Sequence, residues 1–364
     1  MKLLSEIKGD KIVESIEKLV KIPSPTGFTG KVKDFLVKNA EKKGIPCTIT
    51  KKGAVIYSFG PQNKPGTFFA AHVDALGAIV TAVDDDENRV KIATVGGYPA
   101  LYIIGEICTI HTRKGKEYIS TFLPDNPAVH VNSKLKEMVP DFDNCSLRVD
   151  LTLKKGEKLS DFISVGDFVS LESGFRYVDG YVNSRHLDDK ASAGIFVYLS
   201  DIIKKNEKNL KNRVSFFFNV TEETGQGIAA TPQGDDLIVV DMGVVGGDTA
   251  GSEKCVSICA KDSSGPYNYD LTTELINLAE KNKIAYKTDV FPFYGSDGSA
   301  LLRSCSDTRV ALIGQGVDAS HGYERTHVEG LVATASLILT YTKNSSSISS
   351  KRVKSVNGVF PSKT

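Results

Sequence analysis

Apolar runs of strand length alternate with stretches of helical periodicity in the first and last parts of the chain. Runs at residues 66–71, 214–218 and 236–240 are mostly apolar and predict buried strands. Apolar residues recur at helical spacing over residues 10–43, which predicts two helices around a turn, and again over residues 328–342. Strands that alternate with helices are typical of an α/β domain.

The middle of the chain has a different pattern, in which short alternating strands are separated by turn residues. This spacing predicts a small β-rich unit. Because the α/β alternation resumes after it, the unit is inserted into the α/β domain. We therefore predict a discontinuous α/β domain of residues 1–77 and 174–343 and an inserted β-rich domain of residues 78–173. The serine-rich and basic segment 344–364 is predicted to be disordered.

Composition and charge narrow the classes of partner. The chain has 364 residues, enough for about two domains, and its net charge is +1. The overall electrostatic field of the protein is therefore too weak to attract nucleic acid or an acidic membrane. The sequence contains no apolar run of about 18 residues and no secretory apolar core at its start. Six scattered cysteines without a Cys-x-x-Cys pair indicate reduced thiols, and we expect a cytoplasmic protein.

Histidine and carboxylate side chains follow the predicted strands or open a predicted helix. In open α/β sheets, functional side chains gather beyond the carboxyl ends of the strands. A glutamate pair follows the 214–218 strand, and its two side chains point in different directions, so one can bind a metal while the other moves protons. The candidates are His72, Asp74, Asp188, Glu222, Glu223, Asp241 and one of His321 or His327.

A mixed set of imidazole and carboxylate ligands suits zinc, cobalt or manganese better than calcium. Two histidines and three carboxylates suffice for two ions if one carboxylate bridges them. Paired ions lower the pKa of a shared water, and a carboxylate that binds no metal can then act as general base and acid.

Several of these residues also have a purely structural interpretation. The glutamate pair alone would be a solvated acidic turn. Asp188 can cap the following helix, and Asp241 can be a turn residue at a strand end. Asp297, in the Gly-Ser-Asp turn with Ser296, is as well explained by a helix cap as by a substrate contact.

The order of these motifs resembles that of the glutamyl/deblocking aminopeptidases, the tetrahedral aminopeptidases, which are dinuclear metallopeptidases. The resemblance covers residues 10 to 342, including the insertion. It is carried by His72-Val73-Asp74, Leu187-Asp188-Asp189, Thr221-Glu222-Glu223-Thr224-Gly225, Val240-Asp241, Gly295-Ser296-Asp297 and the loop from His321 to His327.

The resemblance implies a three-layer α/β metallopeptidase domain with a mixed central sheet and a barrel-like insertion. It implies release of N-terminal residues from peptides, two zinc, cobalt or manganese ions per chain, and a homo-oligomer between a dimer and a dodecamer, assembled in part through the insertion. Carried over by motif, His72 and Asp241 bind one ion, Glu223 and the last histidine bind the other, Asp188 bridges them, Glu222 is the general base and Asp74 orients His72.

Three departures separate this chain from the usual family pattern. Ala75 stands where a glutamate is usual, Lys190 where an arginine is usual, and the last-histidine loop is altered. His327 is favoured over His321 as the last ligand because it directly precedes the final helix, which would leave His321 near the substrate with Ser296 and Asp297. The departures keep two alternatives open: an inactive metal-binding paralogue, and a hydrolase of another amide.

Overall fold

The fold is described by a computed structural model, which covers residues 6–228, 236–304 and 306–344. The segment predicted to be disordered lies outside these residues, apart from residue 344, which ends the last helix. Within the described ranges, no helix is both long and apolar enough to cross a membrane.

Six α-helices and nineteen strands make up the described structure. The helices are α1 Gly9–Val20, α2 Gly30–Lys43, α3 Leu187–Lys205, α4 Tyr269–Lys281, α5 Asp297–Arg303 and α6 Val328–Asn344. The strands are β1 Cys47–Ile49, β2 Val55–Phe59, β3 Gly66–His72, β4 Gly77–Asp84, β5 Arg89–Val95, β6 Ile107–His111, β7 Glu117–Pro124, β8 Cys145–Val149, β9 Phe168–Leu171, β10 Arg176–Val178, β11 Tyr181–Ser184, β12 Arg213–Asn219, β13 Asp236–Val240, β14 Gly243–Val244, β15 Val256–Asp262, β16 Gly265–Pro266, β17 Tyr286–Val290, β18 Val310–Val317 and β19 Glu324–His327.

The large sheet has the order β1-β2-β12-β3-β13-β18-β15-β16, with β17 paired to β15 and β14 to β18. Strands β12 and β13 both run parallel to β3, and β2 and β15 pair in antiparallel fashion with their neighbours β12 and β18. The sheet is therefore mixed, as predicted. Because β12, β3 and β13 are parallel neighbours, their carboxyl ends meet at one edge of the sheet.

The central strands are apolar because they are covered on both faces. Phe216 of β12 is fully buried and stacks on Phe196 of α3, with ring centroids 4.4 Å apart. Phe69 of the neighbouring β3 meets Phe216 edge to face at 5.9 Å. This packing fixes α3, and hence the residues at its start, against the strands that carry the glutamate pair and His72.

The insertion is a closed barrel of six strands in the order β4-β5-β8-β7-β6-β9. All of its pairs are antiparallel, and it has a hydrophobic core of its own around Val80, Ile110 and Phe122. Its first strand begins five residues after His72. The predicted α/β fold with a β-rich insertion is confirmed; the exact domain bounds stay a prediction.

A third, three-stranded sheet has the order β10-β11-β19 and carries the last-histidine loop. Strand β19 runs antiparallel to β11 and leads directly into α6. The loop that precedes β19 packs against the barrel, since Gly322 lies against the ring of Tyr102.

Candidate metal centre

Three buried ligand groups converge at the edge of the sheet where β3 and β13 end. His72 is the last residue of β3, Asp241 directly follows β13, and Asp188 lies at the start of α3. One ligand atom from each lies within 4.8 Å of the others, and all three residues are buried. The imidazole Nδ1 of His72 is 3.0 Å from the backbone carbonyl of Asp74, so this nitrogen carries the proton and Nε2 faces the carboxylates.

The Asp188 carboxylate lies between two imidazoles. Its Oδ1 is 3.1 Å from Nε2 of His72, and its Oδ2 is 3.6 Å from Nε2 of His321. The other side of the His321 imidazole, Nδ1, is held by the Gly97 carbonyl of the barrel at 2.6 Å. His321 Nε2 is also 3.8 Å from Oε2 of Glu223. Each Asp188 oxygen therefore belongs to a different group of candidate ligands.

Asp74 holds the glutamate pair through its backbone. The Asp74 carboxylate is fully buried and accepts hydrogen bonds from the amides of Glu222 and Glu223, each at 3.2 Å. It also accepts the hydroxyl of Thr26 at 2.6 Å. The family resemblance implies that Asp74 orients His72, and both its backbone carbonyl, at 3.0 Å, and its carboxylate, at 3.6 Å, lie near Nδ1 of His72. The same carboxylate fixes the turn that presents the two glutamates.

We expect the Thr26→Val substitution to lower the free energy of unfolding by about 1.5–3 kcal/mol, because it removes a buried hydrogen bond to a charged group. The change keeps the side-chain shape. Chemical denaturation checks the effect, and Thr26→Ser, which retains the hydroxyl, is the matched control. Equal midpoints for the two variants would show that the bond to Asp74 contributes nothing.

The two glutamates differ in environment. The Glu222 side chain keeps 15% of its surface exposed, against 4% for Glu223, and Glu222 Oε2 is 3.8 Å from Nε2 of His72. Burial raises the pKa of both carboxyls well above the usual value, and the negative charges of Asp241 and Asp188 add to this for Glu222 and Glu223 respectively. These carboxyls are therefore destabilised in their charged form unless a cation accompanies them.

The pKa of Asp188 shifts in the opposite direction. Burial alone would raise the pKa of Asp188, but its contacts with the His321 and His72 imidazoles outweigh burial and lower it. Burial likewise works against the His321 imidazolium, yet the contact with Asp188 raises its pKa to about 10. Burial raises the pKa of Asp241 to about 7.

The donor set fits divalent transition ions. Glu223 Oε1 is buried and has no hydrogen-bond partner among the described residues. Acidic groups crowd around two imidazoles, and a buried charge without a partner costs several kcal/mol. Mixed nitrogen and oxygen ligands match zinc or cobalt.

His321 joins the candidate cluster, whereas His327 has other neighbours. The His327 ring meets Tyr181 edge to face at 4.7 Å, and the Nδ1 of His327 accepts the amide of Glu329 at 3.1 Å. A Cβ on Gly180 would lie 2.5 Å from Nε2 of His327, so this nitrogen faces the β10–β11 turn. The sequence favours His327 over His321 as the last ligand, but His321 is the histidine that lies beside Asp188.

The side chains of Ser296 and Asp297 make different contacts. The Ser296 side chain accepts the amide of Gly298 and contacts the Tyr267 hydroxyl, so it serves the start of α5. Asp297 Oδ1 accepts the side-chain amide of Asn219 at 2.6 Å, while its Oδ2 is buried and has no hydrogen-bond partner among the residues that the structure describes. Burial raises the pKa of Asp297 to about 7.

Two carboxylates that the sequence did not indicate as site residues accept hydrogen bonds from residues of the cluster. Asp189 Oδ2 accepts the backbone amide of His72 at 3.1 Å. Glu324 accepts the amides of Asp188 and His321. The doubled aspartate was a visible signal for Asp189, whereas an isolated glutamate in a polar loop gave none for Glu324.

Comparison with known proteins agrees with this architecture. A family model described as M42 glutamyl aminopeptidase matches residues 53–337. The putative aminopeptidase YhfE of Bacillus subtilis (strain 168) is 38% identical over 341 residues, which span 92% of this chain and 98% of the relative.

Two solved structures show the same fold. The TET1 peptidase of Pyrococcus horikoshii superposes with a TM-score of 0.80 at 22% identity, covering 91% of this chain and 99% of that one. A TET aminopeptidase from a marine sediment thaumarchaeon gives 0.81 at 19% identity, covering 92% and 96%. The resemblance seen in the sequence is thereby confirmed. With a family match over most of its length and a full-length relative, the chain belongs to the M42 glutamyl aminopeptidase family of peptidases.

Proposed function

We propose that the chain is a dinuclear metal-dependent aminopeptidase that releases N-terminal residues from peptides. The observation that carries the proposal is the Asp188 carboxylate, which offers one oxygen to the side of His72 and the other to the side of His321. A carboxylate between two imidazole-containing ligand groups is the arrangement required of a bridging ligand. His72, Asp188 and Asp241 would hold one ion, and Asp188, Glu223 and His321 the other.

Two divalent ions bound there, zinc, cobalt or manganese, would lower the pKa of a shared water and polarise the scissile carbonyl. Glu222 is proposed as the general base. It lies beside His72, remains partly open to solvent, and is fixed through its amide by Asp74. Its carboxylate would take a proton from the attacking water and deliver it to the leaving amine, so that one residue serves as base and then as acid.

Asp297 is proposed to contact the substrate. Its Oδ2 is buried and has no hydrogen-bond partner within the described part of the chain, and its charge acts on Glu222 and Asp241. A carboxylate is the natural partner of a free α-ammonium group. This supports an enzyme that requires an unblocked amino terminus.

Assembly and location belong to the same proposal. The solved structure of PhTET1, whose fold is similar to that of this chain, is a dodecamer, and we propose a homo-oligomer here. The barrel supports this with exposed apolar side chains at Leu101, Val131 and Val139. We further propose a cytoplasmic location, supported by the free thiols of the five described cysteines.

The test measures metal content and peptide cleavage on the same purified protein. About two transition ions per chain are expected. Amino acids should be released from peptides with free amino termini, not from acetylated ones, and release should stop after chelation and return with zinc or cobalt. A protein that takes up no ion contradicts the site. Two ions without release from any peptide contradict the activity, and release from acetylated peptides contradicts the requirement for an amine.

A further inference from the structure

Glu324 links two of the three residues proposed to bind the second ion, Asp188 and His321. It is the first residue of β19 and only 1% of its surface is exposed. Its Oε2 accepts the backbone amide of Asp188 at 3.0 Å, and its Oε1 accepts the backbone amide of His321 at 2.9 Å. A single side chain therefore joins two residues that lie far apart in the sequence and next to each other at the metal centre.

Several contacts hold His321 in place, and the bond with Glu324 is the one made by its own backbone amide. It lies in a loop, its backbone has a φ of 65°, and its side chain is 36% exposed. Its ring bonds the Gly97 carbonyl, and its neighbours in the loop are attached as well, since Arg185 donates to the Gly322 carbonyl at 3.1 Å and Ser320 donates to Asp188 Oδ2 at 3.4 Å. The Glu324 carboxylate adds the bond that fixes the backbone amide of His321 itself. A shift of this amide would move Nε2 relative to Asp188.

A carboxyl group can meet both amides with acceptors, one from each oxygen. A glutamine of the same shape has one acceptor oxygen, and its NH₂ group would face the second amide, so that two donors would meet. An aspartate keeps both acceptors but is one methylene shorter, so from this backbone position its oxygens fall short of the two amides. The geometry at this position is therefore specific in both the number of acceptor oxygens and the length of the side chain.

We propose that Glu324 is a positioning residue for the second metal ion, which sets the separation of Asp188 and His321 and thereby the affinity of that ion. The proposal rests on the proposed function for the presence of two ions. Partners that orient metal ligands typically change metal affinity by about 10–100-fold when they are removed.

The experiment titrates chelator-stripped protein with zinc or cobalt and measures the number of ions bound and the affinity of each. Both Glu324→Gln and Glu324→Asp should bind the first ion and lose about 10–100-fold in affinity for the second. Glu329→Gln is the matched control, because the Glu329 side chain is 59% exposed and contacts Lys254; it should bind both ions like the unsubstituted protein.

Each outcome of the titration supports or contradicts the positioning role of Glu324. If either Glu324 variant binds both ions with unchanged affinity, the positioning role is overturned while the dinuclear site stands. If the unsubstituted protein binds no ion, the proposed function itself fails, and this inference with it. Circular dichroism identifies a variant that does not fold, and the other variant then carries the test.

Discussion

Replacement of Glu222 by glutamine is expected to lower kcat by about 10²–10⁴-fold while both metal ions stay bound. Glutamine keeps the size of the side chain but cannot accept the proton of the attacking water. Glu222 is not among the proposed ligands, and its amide would still be held by Asp74. The measurement is steady-state cleavage of a free-amine peptide together with the metal content of the same sample.

The neighbouring substitution Glu223→Gln is the matched control. Glu223 is the more buried of the two side chains and lies beside His321, so its loss should appear as a weakened second ion. If Glu222→Gln kept both ions and full activity, the base would have to be another group. If it lost an ion instead, Glu222 would be a ligand and the two glutamates would exchange roles.

Much of the candidate site could be predicted because it depends on regular structure. His72 and the glutamate pair follow β3 and β12, whose apolar residues mark them as buried strands. Parallel neighbours end at the same edge, so strand identity was enough to bring these side chains together. The insertion was visible for a similar reason, since the period of the hydrophobic pattern changes where the barrel begins.

The remaining contacts of the candidate site depend on the conformation of loops, which the hydrophobic pattern of the sequence does not predict. Glu324 and Asp74 act through backbone amides, and an amide at a distant position leaves no mark in the sequence. The preference for His327 rested on its place before α6. In a strand, side chains three residues apart point to opposite faces. Since Glu324 faces Asp188, His327 faces away from it, towards Tyr181.

This geometry leads to the second large effect that we expect. His321→Ala should release one of the two ions and lower kcat/KM by about 100-fold or more, because a catalytic ion supplies several kcal/mol of transition-state stabilisation. His327→Ala should keep both ions and lose only a few-fold in activity. Metal content and kcat/KM of the two variants, measured in parallel, check the assignment.

His327→Ala should nevertheless be detectable in stability. His327 accepts the amide of Glu329 in the first turn of α6 and packs on Tyr181, so its removal should cost about 1 kcal/mol, as for the loss of a helix cap. The two substitutions should therefore have different effects. His321→Ala should lose an ion, whereas His327→Ala should keep its metal and have a lower unfolding midpoint. The reverse pattern would restore His327 as the last ligand. It would also require the β19 loop to rearrange when metal binds, because Nε2 of His327 faces Gly180 in this structure.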